Sequence, residues 1–126
     1  PTLNDRFPAH WGWGHRGKIV LRDDSAMNLS SEMYREFALP FDRQLLEEFG
    51  GGVVHFCGRG DHYIDLLAEV PQLTGIQLSQ PEYNDMEKVF QHTVDRGIPL
   101  LALSVERGVE PALAAGRELH GRVHCY

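Results

Sequence analysis

Between residues 30 and 49 the apolar side chains return at every fourth position: Met33, Phe37, Phe41, Leu45 and Phe49. That spacing is the stripe of an amphipathic helix, and it predicts a helix that lays this stripe into the core. Ser30 or Ser31 can cap its start. Pro40 lies inside the pattern and predicts a kink or a break into two helices, and the triple glycine at 50–52 stops it. Shorter apolar runs rich in branched residues predict strands at "GKIVLRDD", "VVHFCG", "LTGIQLS", "IPLLALS" and "RVHCY". Helical spacing recurs between them, in "DHYIDLLAEV", "EYNDMEKVFQHTVDRG" and the alanine-rich "EPALAAGRELHG".

Strand and helix thus alternate four times and a fifth strand comes last, which implies parallel strands joined by helical crossovers, an α/β fold. The first 17 residues, rich in glycine, tryptophan and histidine, show no period and read as a leader or lid loop; 18–126 read as one domain. The "GRG" at 58–60 lacks the third glycine of a dinucleotide-binding turn, so that fold is not supported.

The chemistry concentrates at strand ends. In "VVHFCG", alternation sends His55 and Cys57 to one face and Val54 and Phe56 to the other. An imidazole and a thiol two apart make half of a metal site. Cys125 lies at the corresponding height of the last strand, and Asp23 and Asp24 close the first. The carboxyl ends of parallel strands are where α/β proteins build their sites. Asp23, Asp24 or His62 could orient His55 or relay a proton. His124 alternates with Cys125 and should point away from it.

Composition narrows the partners. A net charge of −6 disfavours a phosphate-binding surface, so nucleic acid is not expected. No apolar run approaches the ~20 residues of a membrane span, and the start "PTLNDRFPAHWGWG" lacks the basic lead and apolar core of a signal peptide. A cytoplasmic protein with both cysteines reduced is the expectation.

The stretch from "NLSSEMYREFALPFDRQLLEEFGGGVVHFCGRGDHYIDLLAEV" through "GIQLS" and "IPLLALS" to "VHCY" resembles the second half of the uroporphyrinogen decarboxylase superfamily. The resemblance implies the C-terminal part of a TIM barrel; with about five strands where a closed barrel needs eight and about 250 residues, a partial barrel is expected. The His-x-Cys pair with a later cysteine resembles the zinc-dependent methyltransferase branch, which moves a methyl group between a corrinoid (cobalamin) on a partner protein and a small thiol such as coenzyme M. Under that likeness His55, Cys57 and Cys125 would hold zinc, with Asp23 or Asp24 catalytic. Two other readings stand beside it: a metal-free decarboxylase-like lyase leaning on Asp23 or Asp24, and an inactive partial barrel. Five parallel strands leave open edges, which predicts a homodimer or a complementing barrel half.

Overall fold

The computed structural model describes residues 9–126; the part of the predicted leader at 1–8 lies outside the described residues. A short antiparallel hairpin of β1 (Ala9–His10) and β2 (Trp13–Gly14) comes first. Five strands follow: β3 (Ile19–Arg22), β4 (Gly52–Phe56), β5 (Leu73–Leu78), β6 (Leu100–Leu103) and β7 (Val123–Cys125). They form one parallel sheet in chain order, with β3 and β7 at its edges. The helices between them are α1 (Ser31–Phe37), α2 (Leu39–Glu48), α3 (Ile64–Ala68), α4 (Met86–His92) and α5 (Glu110–Ala114). The expected α/β alternation with five parallel strands is therefore present.

Local chemistry explains the boundaries. The Ser30 hydroxyl accepts the Met33 amide at the start of α1, and the Asp85 carboxylate accepts the Lys88 amide at the start of α4. Pro40 falls in the first turn of α2, where its missing N–H costs no helical bond, and the chain bends at Ala38 between α1 and α2. Gly58 adopts a left-handed φ of 69° directly after Cys57, and a Cβ there would collide with the side chain of Met27. Only glycine lets the chain turn off the strand end so closely behind the sulfur.

The sheet has two unlike faces. Toward the helices, Val54, Phe56, Ile76, Leu78, Leu100 and Leu103 pack with Tyr34, Leu46, Leu67 and Phe90 into the main core. On the other face only Trp13, Val53 and Ala102 are fully packed, with Val20 and Leu101 beside them. There the register sets Arg22, His55 and Gln77 side by side across β3, β4 and β5. All the polar strand positions thus collect on the face the helices leave open.

One expectation about the core is overturned. The stripe Met33, Phe37, Phe41, Leu45 and Phe49 is exposed, Phe41 at 62%. The buried ridge of α1–α2 lies one residue further along: Tyr34 and Leu46 are fully covered, Asp42 is buried, and Ala38 is half-buried. Both ridges repeat at the same interval, so periodicity alone cannot say which of them meets the sheet.

Candidate metal centre

His55 stands on β4, the second strand of the sheet, and its ring is pinned on one side. The side-chain amide of Gln77 donates its N–H to the Leu78 carbonyl at 3.3 Å, which turns its Oε1 toward His55 Nδ1, with which it hydrogen-bonds. Nδ1 is then the ring's donor, and Nε2 is left with its lone pair facing out of the strand.

Two further donor atoms meet that lone pair. Cys57 Sγ lies 3.3 Å from Nε2, as alternation along β4 requires, and Asp24 Oδ1 lies 2.9 Å from it. The ligand atoms of Asp24, His55 and Cys57 all fall within 4.8 Å of one another. Asp24 Oδ2 is held by Arg22 Nη2 at 2.9 Å. Asp24 Oδ1, by contrast, is buried, with the His55 ring and the Cys57 thiol against it, and its approach to Nε2 is close but off the hydrogen-bond line. A carboxylate oxygen, an imidazole lone pair and a sulfur facing one another repel unless a cation or a proton lies between them. Burial alone would raise the Asp24 carboxyl, but the Cys57 thiol, the His55 ring and the Arg22 guanidinium outweigh it and hold the group below the usual carboxylate range. Asp24 is therefore anionic at neutral pH, as a ligand must be.

The donor set suits zinc, which accepts imidazole nitrogen, thiolate and carboxylate oxygen and keeps a fourth position open where three protein ligands supply the rest. The Gln77 hydrogen bond on Nδ1 is the outer support that metal-binding histidines characteristically have.

The other residues expected at the site are placed differently. Asp23 leaves β3 on the helix face, where it meets Asp42. The two cysteines are free. Cys125 is exposed at the end of β7, three strands beyond β4, and stands outside the close group of Asp24, His55 and Cys57. It follows the alternation of Val123, which packs toward the helices, whereas His124 and Tyr126 line the pocket over His55. His62 bonds the Leu29 carbonyl at 2.8 Å and does not reach His55.

The cavity above His55 and Cys57 measures about 550 Å³. Its roof comes from the hairpin, where Trp11 and Gly12 both take left-handed φ, 48° and 86°, as a tight two-residue turn demands. That turn sets the Trp11 ring edge-on to His55 at 5.3 Å, and the Arg22 guanidinium lies over the same indole at 5.3 Å. The sequence reading missed Gln77, although a polar position in an otherwise apolar strand was the signal that could have found it. It missed Trp11, His124 and Tyr126 as well, since only the fold carries them to β4.

Comparison of the chain with protein-family models, with curated proteins and with solved structures returns no match. No helix among the described residues is long and apolar enough to cross a membrane.

Proposed function

We propose that this chain is a zinc-dependent enzyme of the uroporphyrinogen decarboxylase type, a cytoplasmic partial TIM barrel that methylates a small thiol from a corrinoid carried by a partner protein. The observation that carries this reading is the convergence of the buried Asp24 Oδ1 on His55 Nε2 and Cys57 Sγ. Asp24 takes the third ligand position that the family likeness gives to Cys125. Zinc bound there would supply Lewis acidity, which lowers the pKa of a coordinating thiol toward neutrality.

The protein's own contribution is placement. Gln77 fixes the His55 ring, Arg22 fixes Asp24, and the Trp11 ring covers His55 from one side. A thiol held there would be aligned to take a methyl group from a corrinoid presented by the partner protein, which would supply the methyl carbon and keep the electron pair of the bond it gives up. The thiol proton leaves to solvent through the open mouth of the cavity.

The metal-free lyase reading rests on the same Asp24–His55 contact, taken as an acid–base pair. Substitution separates the two. Cys57→Ser abolishes zinc binding and methyl transfer under the proposal and leaves a lyase intact. Zinc content well below one per chain in gently purified wild type, measured by elemental analysis, would overturn the proposal.

A further inference from the structure

The strand β6 carries a backbone irregularity at the wall of the pocket. Its pairing with β7 loses register between Leu100 and Leu103, and Ala102 sits there with φ of 49°, left-handed for a residue with a side chain. Such a conformation costs on the order of 1 kcal/mol or more and persists where the surroundings hold it. What holds it is His124: the Ala102 amide donates to His124 Nδ1 at 3.2 Å. That bond makes Nδ1 the acceptor, so the neutral ring carries its proton on Nε2. Ala102, His124, Tyr126, His55 and Cys57 line one cavity. Arg22 at its wall already pairs with Asp24 and covers Trp11, and the side chains of Ser79 and Tyr126 also line it. His124 is exposed, and its Nε2 faces away from the Ala102 amide that its Nδ1 accepts.

We propose that His124 is the substrate-gripping residue of this pocket, and that the thiol it selects carries a hydrogen-bond acceptor such as a carboxylate. The inference rests on the thiol-activating reading of the same cavity and adds the part of the substrate that reading leaves unspecified. The sulfur end belongs to the Asp24–His55–Cys57 side of the cavity, and the acceptor end belongs to the wall formed by β6 and β7.

The test has two arms, one independent of metal. In metal-free protein with ¹⁵N-labelled histidine, NMR should show His124 as the Nε2-protonated tautomer, and its resonances should move saturably with mercaptoacetate and stay still with ethanethiol. An Nδ1-protonated ring, or no movement with mercaptoacetate, overturns the proposal whatever becomes of zinc. In zinc-loaded protein, wild type should bind mercaptoacetate about tenfold or more tighter than ethanethiol, the effect of one charge-assisted hydrogen bond. His124→Phe should erase that preference while ethanethiol affinity and zinc content hold, and His124→Gln, whose amide can both accept and donate, should restore part of it. A merely structural role would lower the melting temperature of the Phe variant and leave the preference in place, which also overturns the proposal. Absence of zinc from wild type defeats the metal reading alone, since the first arm is unaffected by it.

Discussion

Asp23 and Asp24 are adjacent in the chain, yet they leave the end of β3 into opposite worlds. Asp24 enters the open face, where the Cys57 thiol, His55 and Arg22 overcome partial burial and keep it ionised. Asp23 enters the helix face beneath α1 and α2. There burial first, and the neighbouring Asp42 carboxylate second, push it up to about 8. Asp42 is raised as well, chiefly by burial, although the Tyr34 hydroxyl donates to its Oδ2 at 2.7 Å. Tyr63, stacked on Tyr34 at 4.2 Å, is raised by burial and by the charges of the two aspartates. Two carboxyls that share a dry site hold one proton between them at neutral pH. One peptide bond thus separates a ligand from a proton store, and the difference comes from what the fold packs against each, with no difference in residue type.

The strongest way to break this contrast is to remove the ligands on the open face. His55→Ala or Asp24→Asn should reduce bound zinc from one per chain to near zero by elemental analysis, and Cys125→Ser should leave it unchanged. Zinc lost with Cys125 and retained without Asp24 would move the centre to β7.

On the helix face the largest effect is a packing one. Leu46→Ala should destabilise the protein by about 2–5 kcal/mol in denaturant unfolding, because Leu46 is fully buried. Phe41→Gln, five residues earlier on the exposed stripe, should change stability by no more than about 0.5 kcal/mol. Equal losses at both positions would mean that something covers the stripe in solution.

Gln77→Ala tests the support of the ring. Zinc affinity should fall about 10–100-fold in competition titrations with a chelator, with the three ligands still in place.

The proton store on the helix face should appear as a pH dependence. The folded pKa of Asp23 lies above its unfolded value, so the native state binds the extra proton; the stability this confers is full below about pH 4 and fades as pH rises toward about 8. In metal-free protein the slope should approach about 1.4 kcal/mol per pH unit across that window. Asp23→Asn should flatten it, as read from unfolding midpoints at several pH values. An unchanged slope would place the titrating group elsewhere.

The same two-face logic governs what could be read in advance. The strand-helix alternation was legible because each element carries its own period and its own punctuation, such as Ser30 before α1 and the glycines before β4. The shared direction of His55 and Cys57 was legible for the same reason: two residues on one strand need no tertiary information. The burial of α1–α2 was not. The ridge with the aromatic side chains lies outside, and the ridge holding Tyr34 and Asp42 lies inside, because the polar groups of the second ridge find each other and Asp23 under the sheet edge. Hydrophobicity ranks the two ridges one way, and the buried Tyr34–Asp42 hydrogen bond accompanies the opposite order.

By itself the sequence determined the local elements and the pairing of a nitrogen with a sulfur on one strand face, since backbone alternation is a property of the chain. Only the tertiary structure decided that Asp24 rather than Asp23 joins them, that Gln77 pins the ring, and that His124 and Trp11 share the cavity. Those choices depend on the register of neighbouring strands and on a turn at each end of the chain, where a shift of one residue would send each side chain to the opposite face.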